Sequence, residues 1–123
     1  MRFYVNYDTA ILANFSFNLP WILRVAEEAD KLGFDGILMP DLYLWPKENR
    51  TLDPWITLSY LAAKTERIRL GTMVTPIPFR PPAILAKMIT TLDILSGGRT
   101  ALGVGAGWHK ESFEAYSEWD PSN

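Results

Sequence analysis

The 123-residue sequence contains no cysteine and a single histidine. The first absence excludes a disulfide scaffold, thiolate zinc or iron–sulfur sites and a cysteine nucleophile, and it is compatible with a reducing cytoplasm. The second leaves too few imidazoles for a histidine-based metal centre, and no metal site is expected. There is no excess of charge either: 12 Lys+Arg stand against 14 Asp+Glu, a net charge of −2. Neither nucleic acid nor an anionic membrane would meet the basic surface it requires. No apolar run approaches the ~20 residues of a spanning helix, and the N-terminal segment from Met1 to Asp8 lacks the apolar core of a signal peptide. Without such a signal, Asn14-Phe15-Ser16 and Asn49-Arg50-Thr51 read as chance matches to the glycosylation triplet. A cytoplasmic protein is expected.

What is present is the makeup of a globular domain, with 48% hydrophobic and 21% charged residues. Short β-like runs alternate with helical ones. Phe3 to Tyr7 reads as a strand, and Asn18 as the cap of a helix with Pro20 in its first turn and Ile22, Val25, Ala26, Ala29 and Leu32 at helical spacing. Gly33 stands where a left-handed cap belongs, ahead of a strand over Gly36 to Met39. Asp53-Pro54 opens a second helix running to about Thr65 through Ile56, Tyr60, Leu61 and Ala63. Ile68 to Val74 is a third strand. Pro81-Pro82 opens a third helix with Leu85, Met88, Leu92 and Leu95 on one face, stopped by Gly97-Gly98 before a fourth strand over Thr100 to Gly105.

The strands begin about 32 residues apart, the size of a βαβ unit, which predicts parallel strands with right-handed crossovers. Such units build an open doubly wound sheet or an eight-fold β/α barrel, and the barrel needs ~250 residues. The predicted fold class is α/β: four parallel βα units, the N-terminal half of a (β/α)8 TIM barrel. Residues 1–123 are then expected to be the first half of a longer barrel domain, or a half that must pair.

Ligands in parallel α/β folds sit at the carboxyl ends of the strands. That rule gathers Asn6-Tyr7-Asp8, Met39-Pro40-Asp41, Thr72-Met73-Val74-Thr75 and Gly105-Ala106-Gly107-Trp108-His109 on one rim. Gly103, Gly105 and Gly107 have the spacing G-x-G-x-G, with Trp108 where a dinucleotide fingerprint has its third glycine. Gly103 and Gly105 either admit a cofactor or make room for barrel packing, and Gly107, at the rim, is read as the functional one. No Walker-type loop is present. His109 is either a proton-transfer group or a surface histidine in the first turn of the next segment. Asp41 either bonds a ligand or holds its loop. Trp45 and Trp108 are placed to stack on a planar ligand.

Four segments, Leu32-Gly33-Phe34-Asp35-Gly36, Arg67-Ile68-Arg69-Leu70-Gly71-Thr72, Thr91 to Arg99 and Leu102 to Trp108, resemble in order and spacing the bacterial luciferase-like family of flavin monooxygenases and coenzyme F-420-dependent oxidoreductases. The resemblance implies a β/α barrel with an FMN or F-420 ring in its mouth. It implies a non-prolyl cis peptide at Met73-Val74 behind the ring, an acidic residue near it at Asp41, and backbone approach at Ala106 and Gly107. Met73, Val74 and Trp108 complete the implied cofactor surround, and His109 is the catalytic candidate. The chain departs from the pattern in carrying Leu42 where many members have histidine, and Trp108 where several F-420 enzymes have glutamate. The family's phosphate site comes from loops later in the barrel. An oxidoreductase or monooxygenase acting on a small organic substrate, and forming a homo-oligomer, is expected. The alternatives are a non-catalytic half-barrel that pairs with itself or a complementary half, and a small dinucleotide-binding module.

Overall fold

A computed structural model describes residues 1–6, 19–43 and 51–116. The expected contributions of Tyr7, Asn18, Trp45 and the tail after Tyr116 lie outside the described residues. The elements run β1 (Tyr4–Asn6), α1 (Leu19–Lys31), β2 (Gly36–Met39), α2 (Pro54–Ala62), β3 (Arg69–Thr72), β4 (Thr75–Pro76), a 3-10 turn (Ile77–Phe79), α3 (Pro82–Ser96), β5 (Thr100–Ala101), β6 (Val104–Gly105) and α4 (Lys110–Tyr116). β1, β2, β3 and β5 form one parallel sheet in that order, and β4 pairs with β6, also parallel, in a second. These are the four parallel βα units that the 32-residue spacing predicts.

Side chains alternate across a strand. Ile37, Met39 and Leu70 point to one face, where they pack with Ile22, Ala26, Leu58, Leu61 and Leu92 from the three long helices. Burial of each large aliphatic side chain contributes about 1.5–3 kcal/mol, so this layer holds the units together. Tyr4, Asn6 and Arg69 alternate with that set and are exposed on the other face. The opposite face of Gly36 is covered by the Tyr4 ring, 2.5 Å from where a Cβ would stand.

The helix ends follow local chemistry. Asp53 caps α2 by accepting the Ile56 N–H at 2.9 Å, with Pro54 in the first turn. Gly97 ends α3 in the left-handed conformation, φ 71°, and Gly33 has φ 81° after α1. The helix-facing residues differ from expectation in α2, where Trp55, Leu58, Leu61 and Ala62 are buried and Ile56 and Tyr60 are exposed. That helix is apolar on both sides, so periodicity could not select its inner face. Leu32 and Leu95 are also exposed, each lying at the end of its helix.

Two strands are shorter than expected. The third stops at Thr72, and the fourth is divided into β5 and β6. The division comes from Gly103, whose N–H donates to the Thr72 carbonyl at 3.1 Å and whose carbonyl accepts the Thr75 N–H at 2.8 Å. This crossing carries the chain from one sheet to the other.

Candidate functional site

The carboxyl end of β2 delivers Asp41, which is 1% exposed. A carboxylate there is costly unless paired. Arg80 supplies the pair, with Nη1 2.5 Å from Oδ2 and Nη2 3.2 Å from Oδ1. The same Nη2 donates to Asp53 Oδ2 at 2.6 Å, so one guanidinium holds two carboxylates and reaches the cap of α2. Burial pushes the Asp41 carboxyl above the ordinary aspartate range, against the opposing pull of Arg80 and of a hydrogen bond from Thr75. Burial also works to lower Arg80, and the two carboxylates overcome it, holding the guanidinium charged. The Asp41 reading as a loop-holding group therefore has a geometric basis that sequence could not supply.

Beyond β3, the Met73-Val74 peptide is cis, at the position that the resemblance implied. The Met73 N–H donates to the Met39 carbonyl at 2.9 Å. On either side of the pair, Thr75 Oγ1 lies 3.1 Å from Thr72 Oγ1, and Thr72 Oγ1 lies 3.1 Å from the Gly103 carbonyl. Thr72 and Thr75 are buried, whereas Met73 and Val74 are 47% and 41% exposed. Polar groups face inward and are satisfied, and an apolar dipeptide faces the rim.

The glycine run meets this segment. A Cβ on Gly105 would lie 2.7 Å from a Val74 methyl, and one on Gly103 would collide with the Thr72 carbonyl. Both glycines are thus required by the chain's own packing. Gly107 has φ 87°, and a Cβ there would run into the Phe113 ring. Trp108 follows, 71% exposed. His109 is 8% exposed, with Nδ1 2.8 Å from Ser112 Oγ and Nε2 3.4 Å from Glu111 Oε2. Its carbonyl accepts the Ser112 and Phe113 N–H groups, so it opens α4 as the second reading expects, but it is buried there and not on the surface.

An aromatic chain joins the two halves of the rim. Arg80 lies over the Tyr43 ring at 5.0 Å, Tyr43 stacks on Phe79 at 4.6 Å, and Phe79 meets Phe113 at 4.8 Å. Asp41, Met73 and Val74 are therefore bound to one polar cluster, and Gly107 is tied to it through rings. Ala106 and Trp108 extend outward from the same segment.

Sequence reasoning missed Arg80 and Phe113, and it placed Thr72 and Thr75 on the rim without their contact with each other. The available signal for Arg80 was its isolation: it is the one charged residue between Arg69 and Lys87, in the otherwise apolar stretch Ile77-Pro78-Phe79-Arg80-Pro81-Pro82. Among the described residues no group of three His, Asp or Glu side chains is arranged for a metal ion, and no helix is long and apolar enough to cross a membrane.

Met73, Val74 and Trp108 present exposed apolar and aromatic surface of the kind on which a planar ring packs. A Cβ at Gly103, Gly105 or Gly107 would meet Thr72, Val74 or Phe113, so the chain's own packing accounts for these glycines.

A family model described as luciferase-like monooxygenase matches residues 5–122. An uncharacterised protein of Mycobacterium tuberculosis is 47% identical over 77 residues, which are 63% of this chain and 26% of that protein. Monooxygenase RslO1 from Streptomyces bottropensis superposes with a TM-score of 0.81 at 31% identity, covering 94% of this chain and 36% of its own. The coenzyme F-420-dependent tetrahydromethanopterin reductase of Methanopyrus kandleri gives 0.75 at 27% identity, over 93% and 29%. The chain spans about a quarter of the length of the curated relatives it matches.

Proposed function

The chain belongs to the luciferase-like monooxygenase family, and from that premise we propose that residues 1–123 are the N-terminal half of a barrel-domain oxidoreductase. Its cofactor is FMN or coenzyme F-420, and its substrate is a small organic molecule. The observation that carries this reading is the apolar, half-exposed Met73-Val74 pair, flanked by the buried, hydrogen-bonded Thr72 and Thr75. When bound, the ring supplies hydride transfer at N5 or C5 or, as a reduced flavin, oxygen activation.

The chain's own residues do the positioning. Met73, Val74 and Trp108 offer apolar surface to the ring and keep water from it, and Ala106 and Gly107 bring backbone alongside. Asp41 stands behind this surface, held by Arg80. His109 is the proton-transfer group, its imidazole oriented by Ser112 at Nδ1. The assembled enzyme is a cytoplasmic homo-oligomer that takes neither nucleic acid nor membrane as partner.

The test is a titration of FMN and of F-420 into the 123-residue chain and into the product of the intact reading frame that contains it, followed by absorbance and fluorescence. The expected result is weak binding by the 123-residue chain and micromolar or tighter binding of one cofactor by the longer product. Binding of neither by either form would overturn the reading. A second reading, a non-catalytic half-barrel that pairs with another half, is favoured by the exposed sheet face of Tyr4, Asn6 and Arg69. It predicts a stable complex of 123-residue chains and no cofactor.

A further inference from the structure

Arg80 is 8% exposed, and its side chain meets the segment after β2, at Asp41 and Tyr43, and the cap of α2 at Asp53. Its two Nη atoms fork onto Asp41 at the end of β2, and one of them also reaches Asp53 at the cap of α2. Its face lies over Tyr43. Two side chains extend this hold. Thr75 adjoins the Asp41 carboxyl and helps to hold its pKa down, and its hydroxyl lies 3.1 Å from Thr72 Oγ1, so the residues flanking Met73 and Val74 stand next to the carboxylate that the guanidinium grips. Tyr43 passes the contact to Phe79 and Phe113, and Phe113 packs against Gly107.

The charge arithmetic shows why arginine is needed. Two carboxylates face one cation, with Asp41 fully enclosed and Asp53 partly exposed, so loss of the cation leaves an enclosed carboxylate unpaired beside a second like charge. A lysine ammonium is a point donor and cannot span both oxygens of Asp41 while reaching Asp53, as a planar fork can. Folding alone would require only that the cluster be neutralised. The present arrangement instead routes three rim segments through one side chain.

We infer that Arg80 is a positioning residue for the cofactor-facing rim: it sets the placement of Met73 and Val74 through Asp41 and Thr75, and that of Gly107 and Trp108 through Tyr43, Phe79 and Phe113. The cofactor-facing part of this inference rests on the function proposed above; the placement itself does not.

The experiment uses Arg80→Lys, Arg80→Met and the double variant Arg80→Met/Asp41→Asn, with two readouts. The first is amide hydrogen exchange at Thr75 and Gly103 on the rim, compared with Leu70, whose N–H donates to the Arg99 carbonyl at the opposite end of β3. Arg80→Met is expected to speed exchange at Thr75 and Gly103 by about tenfold or more with Leu70 nearly unchanged, and the double variant to recover most of the loss, because neighbours in one ion-pair network couple strongly. Arg80→Lys is expected to fall between, and it carries the comparison if Arg80→Met does not fold. Equal acceleration at both ends, no acceleration, or no recovery in the double variant would overturn the inference. The second readout is the affinity and visible spectrum of FMN and F-420 on the product of the intact reading frame. A weaker affinity and an altered spectrum in Arg80→Lys support the role toward the ring, and unchanged values overturn it. If the unsubstituted protein binds neither cofactor, the proposed function falls, and the exchange pattern still decides whether Arg80 places the rim.

Discussion

Replacement of Gly107 by alanine separates two reasons for a glycine on the rim, a ligand's approach and the chain's own geometry. Alanine at φ 87° enters the left-handed region, which costs an L-residue about 1–2 kcal/mol. Its methyl also meets the Phe113 ring, and forcing extra volume into a packed site costs about 1–3 kcal/mol more. Gly107→Ala is therefore expected to destabilise the fold by about 2–5 kcal/mol before any ligand is considered. Phe113→Leu removes the obstructing ring edge. Alone it forfeits the contact with Phe79, in the range of about 0.5–1.5 kcal/mol for an aromatic pair, together with some buried area. In the double variant the steric part should vanish and the backbone part remain, giving a coupling of about 1–3 kcal/mol in favour of the pair. Denaturant midpoints for the four proteins measure it. Strictly additive losses would refute the packing argument. A stable Gly107→Ala protein that has lost only cofactor affinity would return Gly107 to a purely ligand-facing role.

Three further outcomes are expected. The Asp30 carboxylate accepts the Glu66 N–H at 2.7 Å, the Ile68 N–H at 2.9 Å and the Arg67 N–H at 3.2 Å; burial raises its pKa, but these donors outweigh burial and hold it below the ordinary value. Because the folded value is depressed, Asp30 adds stability that is complete above the unfolded aspartate range and is lost as pH falls through the folded value, so Asp30→Asn should cost about 2 kcal/mol at neutral pH and less in acid, read from urea midpoints across pH. Arg99 donates to the carbonyls of Ala62, Ser96 and Ile68 and to Thr65 Oγ1, so Arg99→Met should cost about 3 kcal/mol in the same assay and Arg99→Lys should recover only part of it. Trp108→Ala should move stability by no more than about 0.5 kcal/mol, since the side chain is largely exposed, yet weaken cofactor binding about three- to tenfold if the indole stacks on the ring.

The elements were largely legible because they rest on local signals. Pro54 and Pro82 open helices where the spacing places them, and Gly33 and Gly97 take the left-handed conformation that ends one. The strand spacing gave the parallel order without reference to any partner residue. The inner face of α2 was not legible, since Trp55 and Leu58 are no more apolar than Ile56 in a pattern that reads the same from both sides. Nor was the division of the fourth strand. It depends on Gly103 exchanging backbone hydrogen bonds with Thr72 and Thr75, a pairing across about thirty residues that leaves no periodic trace.

At the rim the limit was of a different kind. Asp41, Met73, Val74 and Gly107 could be gathered because strand ends in a parallel sheet share one side. What each does there depends on the group it meets, and those groups lie far away along the chain: Asp41 meets Arg80 39 residues on, and Thr72 meets Gly103 31 residues on. A carboxylate at a strand end can serve a ligand or another side chain, and only its neighbour decides. Here the neighbour is a cation shared with the cap of α2, so the Asp41 carboxylate is engaged by the chain itself. Among the described residues at this end, Met73, Val74 and Trp108 are exposed, whereas Asp41 and Arg80 are buried and paired with each other. Exposed apolar surface backed by a paired, buried charge is the surround suited to a flat ring whose reactivity comes from the ring itself.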